Sequence, residues 1–218
     1  MLDGPRLAPL SGGPARQLVV LLHGVGADGN DLIEIGRAFA PVFPDAAFAA
    51  PNAPDPCDWD ASRYQWFRLA VRDPHEYRLG AAAAAPKLDA FLDTELARHG
   101  LDDAQLALVG FSQGTMMALQ VGPRRARAMA AIVGYSGRIA GAERIADETV
   151  SRPPVLLVHG TLDEVIPVGA MAETARALRS AGFSVETIER PGLSHAIDTI
   201  GLREGARFLQ RAFGTASV

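Results

Sequence analysis

The sequence predicts an α/β fold with a mostly parallel central sheet and helices on both of its faces. Short apolar runs of strand length alternate along the chain with segments in which apolar residues recur at helical spacing. Because the runs are apolar throughout, they are typical of parallel strands buried between two layers of helices. The 218 residues, of which 48% are hydrophobic, suffice for one domain with its own core. We therefore expect a single domain over residues 1–218.

The individual strands and helices follow from these runs in chain order. Strands are expected at residues 18–22, 46–50, 106–109, 130–133, 155–158 and 185–188. Helices are expected at residues 31–39, 78–99, 115–120, 171–181 and 197–213. The second helix has the clearest pattern, since Leu88, Phe91, Leu92 and Leu96 share one face and Gly100 is a typical C-terminal stop.

Residues 51–73 interrupt this alternation, because no helical or strand period fits the first half of the segment. Prolines at positions 51, 54 and 56 precede an aromatic group made of Trp59, Tyr64, Trp66 and Phe67. A loop of about twenty residues inside a compact domain is usually functional or disordered, and the aromatic side chains argue against disorder. We expect an ordered loop that shapes a substrate site in place of a large cap.

Charge and cysteine content exclude several classes of function. A net charge of −4 provides no basic surface for nucleic acid or for an anionic membrane. The single cysteine, Cys57, cannot form an internal disulfide or a multi-thiolate zinc site, and no metal-ligand cluster or nucleotide-binding motif is visible. There is no run of 18 apolar residues, and residues 1–16 lack the apolar core of a signal peptide. We expect a cytoplasmic protein without membrane anchor, metal or cofactor.

The strongest chemical signal is the sequence G-F-S-Q-G at residues 110–114, which fits the G-x-S-x-G pattern of a nucleophile elbow. The pattern needs small residues two positions before and after the serine, because a strand must turn there sharply into a helix. A predicted strand precedes this segment and a predicted helix follows it. Ser112 is therefore the candidate nucleophile.

A serine nucleophile needs a base, and the base needs an orienting acid. Of the five histidines, His195 lies in a glycine-containing turn between the last strand and the last helix, whereas His23 and His159 end apolar strands and His75 and His99 lie in a loop and at a helix end. Asp163 follows the strand at residues 155–158; Glu164 and Asp198 are its rivals. The carboxyl ends of parallel strands are where sites form in open α/β sheets, so Asp163 and His195 are the candidate acid and base.

The oxyanion of the reaction needs two N–H donors. One is expected from Gln113, directly after the nucleophile, and the other from the loop that follows the first strand, H-G-V-G at residues 23–26. Small residues in that loop let the backbone approach a substrate closely, and Val25 is the candidate donor.

These segments together resemble the phospholipase/carboxylesterase family of small serine hydrolases, which includes bacterial carboxylesterases, lysophospholipases and acyl-protein thioesterases. The resemblance covers roughly residues 17–213. It is carried by L-H-G-V-G-A-D-G at 22–29, P-N-A-P at 51–54, Q-W-F at 65–67, G-F-S-Q-G at 110–114, H-G-T-L-D-E-V-I-P at 159–167 and S-H at 194–195. The chain order Ser112, Asp163, His195 is that of the α/β-hydrolase fold.

The resemblance implies a minimally capped α/β-hydrolase with Ser112, Asp163 and His195 as catalytic triad and with Val25 and Gln113 as oxyanion-hole donors. We expect a cofactor-free carboxylesterase that hydrolyses small-molecule esters of small to medium acyl groups, as a monomer or homodimer. A lysophospholipase or acyl-protein thioesterase with the same triad is the alternative, and a non-catalytic binding protein of the same fold is a remote one. Candidate pocket residues are Trp66, Leu69, Met116 and Leu162.

Overall fold

A computed structural model of the protein describes residues 2–215, and its central feature is a seven-stranded sheet. The sheet strands are β1 (Arg6–Leu7), β2 (Gln17–Leu22), β3 (Ala46–Ala49), β6 (Leu106–Phe111), β7 (Ala131–Tyr135), β8 (Val155–Gly160) and β9 (Val185–Arg190). Their order across the sheet is β1-β3-β2-β6-β7-β8-β9. Only the edge pair β1–β3 is antiparallel. The predicted α/β-hydrolase architecture is confirmed.

Helices cover both faces of the sheet. They are α1 (Gly29–Phe39), α2 (Pro74–His99), α3 (Gln113–Val121), α4 (Ile145–Glu148), α5 (Gly169–Ser180) and α6 (Thr199–Ala212). Apolar residues of α1 and α6 pack on one face of the sheet, and those of α2, α3 and α5 pack on the other. The parallel strands β2, β6, β7 and β8 are therefore almost completely buried, as their uniformly apolar sequences predict.

Two parts of the sheet region differ from the expectation. The two-residue strand β1 was not predicted, because it is too short to have a period of its own. Strand β9 lies at the sheet edge and is half exposed, with two glutamates and an arginine within V-E-T-I-E-R.

The segment at residues 51–73 is not an uninterrupted loop. It contains an antiparallel hairpin of β4 (Asp55–Cys57) and β5 (Asp60–Gln65). The sequence did not predict this hairpin, because its residues are mostly polar and exposed and have no alternating apolar face. A backbone bridge between Tyr64 and Ala27 ties the hairpin to the loop that follows β2.

Helix α2 begins four residues earlier than predicted, at Pro74, where the Asp73 side chain accepts a hydrogen bond from the Glu76 N–H group.

Within residues 2–215, no helix has both the length and the apolar character that a membrane span requires.

Candidate active site

The turn between β6 and α3 places Ser112 at the centre of the sheet's carboxyl edge. Ser112 has φ 54° and ψ −116°, a positive-φ backbone conformation that is unusual for a residue with a side chain. A Cβ atom on Gly110 would lie 2.5 Å from the Gly114 backbone, and one on Gly114 would lie 1.9 Å from the Leu22 carbonyl oxygen. Both glycines are therefore required sterically, which is the physical basis of the G-x-S-x-G pattern.

Asp163 and His195 are hydrogen-bonded to each other, with 2.8 Å between His195 Nδ1 and Asp163 Oδ2. Their loops meet because β8 and β9 are adjacent and close-packed at their ends. The Leu162 N–H group donates to the Leu193 carbonyl over 2.9 Å, and a Cβ on Gly160 would lie 2.2 Å from the same oxygen. The sequence separation of 32 residues is thus closed by strand pairing.

The surroundings of Asp163 favour its ionised form. Burial of the side chain acts to raise the pKa of Asp163, but hydrogen bonds from His195 and from the Ile166 and Val165 N–H groups outweigh burial and hold this pKa below its ordinary value. The two backbone N–H groups donate to Asp163 Oδ1 over 2.8 and 2.9 Å. Asp163 is therefore a buried carboxylate with both oxygens hydrogen-bonded.

The two rival acids have other surroundings. Glu164 is exposed. Asp198 caps α6 by accepting from the Gly201 N–H group, and it forms an ion pair with Arg190 over 2.9 Å. The structure thus brings Asp163, rather than either rival, into contact with the His195 ring.

His195 lies beside the nucleophile elbow. Its ring packs against Phe111, the residue before Ser112, with 4.9 Å between ring centroids. Among residues 2–215, His195 has Asp163 but not the Ser112 hydroxyl as a hydrogen-bond partner. Contacts of this kind are commonly longer without substrate and tighten when it binds.

The two candidate oxyanion donors share a cavity with Ser112. Val25, Gln113 and Ser112 all line a small cavity of about 60 Å³. The loop that carries Val25 approaches closely, since a Cβ on Gly24 would lie 3.2 Å from the Ser112 Cβ. Gln113 is the first residue of α3, where backbone N–H groups have no partner within the helix. The arrangement can place two N–H donors next to the Ser112 hydroxyl.

The Gln113 side chain has a role that sequence reasoning missed. It is buried, its Oε1 accepts from the Trp66 N–H group over 2.8 Å, and its Nε2 donates to the Phe67 carbonyl over 2.7 Å. The Trp66 indole N–H in turn donates to the His23 carbonyl over 3.0 Å. These bonds tie the aromatic segment, the oxyanion loop and the elbow together.

The expected pocket residues occupy three different positions. Leu69 and Met116 line the cavity at Ser112, together with the unpredicted residues Arg72 and Tyr77. Trp66 does not line this cavity; it is buried behind it, held by Gln113 and His23. Leu162 lines a neighbouring, wider cavity of about 400 Å³ that also contains His195.

The mouth of the site carries exposed apolar side chains. Leu162 is 62% exposed and Val165 is 58% exposed, and Val165 lines both cavities. We refer to Leu162 and Val165 together as the apolar rim.

Within residues 2–215, no group of three or more His, Cys, Asp or Glu side chains is arranged to hold a metal ion.

Two buried histidines flank the site, and sequence reasoning treated both only as strand ends. His23 follows β2 and bonds to backbone: its Nδ1 lies 2.7 Å from the Gly24 carbonyl oxygen, and its Nε2 accepts from the Ala53 N–H group over 2.9 Å. His159 lies in β8, with Nε2 2.8 Å from the Ile166 carbonyl oxygen and 3.2 Å from Asp163 Oδ2. The signal that could have found them is the His-Gly pair at the carboxyl end of each of these two strands.

Comparison with known proteins gives the family. The phospholipase/carboxylesterase family model matches residues 10–213. Esterase YpfH of Escherichia coli is 32% identical over 190 residues, which cover 85% of this chain and 78% of that protein. Acyl-protein thioesterase 1 of Schizosaccharomyces pombe is 24% identical over 210 residues, 90% of this chain and 91% of that protein.

Among solved structures, the crystal structure of esterase PE8 superposes with a TM-score of 0.93 at 42% sequence identity, and it covers 97% of this chain and 99% of that one. Together with the family model and the E. coli relative, this places the chain in the phospholipase/carboxylesterase family of α/β-hydrolases.

Proposed function

We propose that this chain is a serine carboxylesterase that hydrolyses carboxylic esters of small to medium acyl groups through an acyl-enzyme on Ser112. Family membership and the esterase relatives support hydrolysis of carboxylic esters. The observation that carries the residue roles is the hydrogen bond between buried Asp163 and partly buried His195, next to a serine held at φ 54°. We assign Ser112 as nucleophile, His195 as base and Asp163 as the acid that orients the base.

In the first half of the reaction, His195 Nε2 accepts the Ser112 hydroxyl proton while Ser112 Oγ attacks the ester carbonyl carbon. The resulting oxyanion accepts hydrogen bonds from the N–H groups of Val25 and Gln113. When the tetrahedral intermediate collapses, the bond to the alcohol oxygen breaks and His195 returns the proton to the departing alcohol. The product of this half is an ester between the acyl group and Ser112.

In the second half, water takes the place of the alcohol. His195 accepts a proton from the water, whose oxygen attacks the acyl carbonyl, and collapse returns the proton to Ser112 Oγ and releases the carboxylic acid. Throughout, Asp163 stays ionised and accepts the Nδ1–H bond, which fixes the tautomer of His195 so that Nε2 faces the nucleophile.

The shape of the site supports the small end of the acyl range. The cavity at Ser112 has a volume of only about 60 Å³ and is the narrower of the two cavities beside the nucleophile and the base. The neighbouring cavity of about 400 Å³ is wider and opens at the apolar rim, which suits a larger alcohol group. We therefore assign the narrow cavity to the acyl group and the wide one to the alcohol.

A matched series of substrates tests this proposal. We expect kcat/KM to be highest for oxygen esters with short acyl chains and to fall as the acyl chain lengthens, and we expect the thioesters of the same acids to be poorer substrates. Ser112→Ala is the inactive control. Higher kcat/KM for long-chain thioesters or lysophospholipids would contradict the carboxylesterase assignment and favour the acyl-protein thioesterase or lysophospholipase alternative.

We further propose a cytoplasmic protein that is a monomer or a homodimer. The acidic composition and the single cysteine, which forms no disulfide, support the location. Light scattering coupled to size exclusion measures the oligomeric state directly.

A further inference from the structure

We propose that His159 is a positioning residue that holds Asp163 in place and shares the Asp163 oxygen to which His195 is bonded. This inference rests on the proposed roles of Asp163 and His195, and it adds a second imidazole-bearing residue to the site. The structural basis is that two histidine rings from different elements converge on one carboxylate oxygen. His195 Nδ1 lies 2.8 Å from Asp163 Oδ2, and His159 Nε2 lies 3.2 Å from the same atom.

The partners of His159 determine which of its nitrogens carries a proton. Its Nε2 faces only acceptors, namely Asp163 Oδ2 and the Ile166 carbonyl oxygen at 2.8 Å. A nitrogen between two acceptors has to be a donor, so Nε2 carries hydrogen; it donates to the Ile166 carbonyl and lies 3.2 Å from Asp163 Oδ2. The positive end of a fixed N–H group therefore lies beside the Asp163 carboxylate.

The His159 ring also holds in place the loop after β8, which carries Asp163. His159 belongs to β8, which is paired with both β7 and β9, and its side chain is 1% exposed. Asp163 lies four residues later and Ile166 seven residues later, outside the strand. By bonding to the Ile166 carbonyl, the His159 ring fixes the outgoing chain to the sheet, and the Ile166 N–H group in turn donates to Asp163 Oδ1 over 2.8 Å.

Asp163 consequently accepts three hydrogen bonds and has a fourth N–H group beside it. The Val165 and Ile166 N–H groups bind Oδ1, His195 binds Oδ2, and His159 Nε2 lies 3.2 Å from Oδ2. The positive end of an N–H dipole next to a carboxylate offsets part of its negative charge, so His159 weakens the field that Asp163 exerts on His195. His159 therefore affects the basicity of His195 without contacting it.

Few titratable groups compete for this effect. Within residues 2–215, the titratable side chains that contact Asp163 are His159 from β8 and His195 from the loop after β9. Glu164, from the same loop as Asp163, lines the cavity that contains His195 but is solvent-exposed, so water screens its charge.

The test compares variants that remove or retain the donor. His159→Leu removes it, whereas His159→Gln places an amide N–H at nearly the reach of Nε2. Thr174→Val is the matched control, because it leaves one buried backbone group unpaired, the Ile139 N–H group, as His159→Leu leaves the Ile166 carbonyl. The measurement is kcat and KM for a soluble short-chain ester across pH, together with the melting temperature of each variant.

For His159→Leu we expect kcat to fall about tenfold to a hundredfold, as for residues that support metal ligands, with a smaller change in KM. We also expect the apparent pKa on the acid limb of the kcat/KM profile to rise, because the undivided Asp163 charge stabilises protonated His195 more strongly. His159→Gln should keep most of the activity and the acid limb of the unmodified enzyme. Thr174→Val should lower the melting temperature without moving the acid limb.

An acid limb that stays in place in folded His159→Leu overturns the proposal, since a merely structural histidine would change only stability. If His159→Leu does not fold, His159→Asn replaces it, because its amide is too short to reach Asp163, and the same outcomes decide. Asp163→Asn distinguishes failure of the proposed triad from failure of the role proposed for His159. If Asp163→Asn retains activity, the proposed triad fails; if it is inactive while His159→Leu behaves like the unmodified enzyme, only the role of His159 fails.

Discussion

His23 and His159 occupy equivalent places on opposite sides of the nucleophile strand, yet their bonding differs. Each is a buried histidine followed by glycine at the carboxyl end of an apolar parallel strand. In the sheet, β2 directly adjoins β6 on one side, whereas β8 lies one strand further away on the other. Both form hydrogen bonds to backbone groups, but His159 also lies 3.2 Å from the carboxylate oxygen Oδ2 of Asp163.

The difference indicates a division of labour between the two sides. The β2 side supplies backbone N–H groups, so its histidine fixes the backbone of the oxyanion loop. The β8 side supplies an ionised side chain, and its histidine lies against that side chain while it bonds to the backbone of the same loop. The His-Gly pattern thus supports the neutral backbone of the oxyanion loop at the end of β2 and the charged Asp163 side chain at the end of β8.

The largest expected effect is at the nucleophile that both sides serve. Ser112→Ala should lower kcat by about 10⁵- to 10⁶-fold for a short p-nitrophenyl ester, because no oxygen remains to form the acyl-enzyme. The melting temperature should stay near that of the unmodified enzyme, since the residue is small and its backbone is unchanged. Turnover at the original rate would show that Ser112 is not the nucleophile and that the β2 and β8 sides do not serve it.

Asp163→Asn tests the charged side, and we expect kcat to fall by about 10⁴-fold at neutral pH. The amide carries no charge to stabilise protonated His195, and its NH2 group favours the wrong tautomer of His195. Single-turnover kinetics measure the loss. An effect of tenfold or less would mean that another carboxylate, with Glu164 as the first to test, orients the base.

Gln113→Leu tests the neutral side through its side chain rather than its N–H group. It leaves the Trp66 N–H and the Phe67 carbonyl without their buried partner, at about 1–3 kcal/mol of stability for each group. We expect a lower melting temperature and about a tenfold loss in kcat/KM, from displacement of the aromatic segment. Unchanged melting temperature and kcat/KM in Gln113→Leu would contradict this positioning role of the side chain.

The burial of His23 predicts a pH dependence of stability. Burial lowers the pKa of His23 below its ordinary value of 6.5. The unfolded chain therefore binds more protons than the folded one as the pH drops below 6.5, and the free energy of unfolding falls by up to about 1.4 kcal/mol per pH unit there. Urea titrations between pH 7 and 5 should show a shallower decline for His23→Gln, and identical slopes would contradict the assignment.

Val25→Ala should have the smallest effect on rate. Its proposed contribution is a backbone N–H group, which the substitution keeps, while the shorter side chain widens the cavity that it lines. We expect the preferred acyl length to increase while kcat for the best substrate changes by less than about threefold, well under 1.4 kcal/mol of barrier. A loss as large as that of Ser112→Ala would assign the valine side chain a direct role.

Sequence patterns predicted the parts of the molecule that local physics determines. Apolar runs located the central strands to within one or two residues. The G-x-S-x-G pattern located the elbow because a side chain at Gly110 or Gly114 would clash with nearby backbone. The expectation that residues 1–218 form one domain stays a prediction, and it includes Met1 and residues 216–218, which lie outside the described residues.

The parts that sequence reasoning missed depend on contacts between distant segments. Gln113 bonds to residues 46 and 47 positions away, and the hairpin at β4–β5 is fixed by the loop after β2 rather than by its own period. For His159, the histidine and Asp163 were both visible, but only the path of the intervening loop brings the ring onto the carboxylate oxygen.

The apolar rim has a consequence for the engineering and natural divergence of this enzyme. Because Leu162 and Val165 are mostly in solvent, replacing them costs little folding free energy, typically within about 0.5 kcal/mol. Gly110 and Gly114 accept no side chain at all without moving the backbone. Selection for new substrates should therefore accumulate changes at positions 162 and 165 first, and a randomised library there can be screened without stabilising the scaffold beforehand.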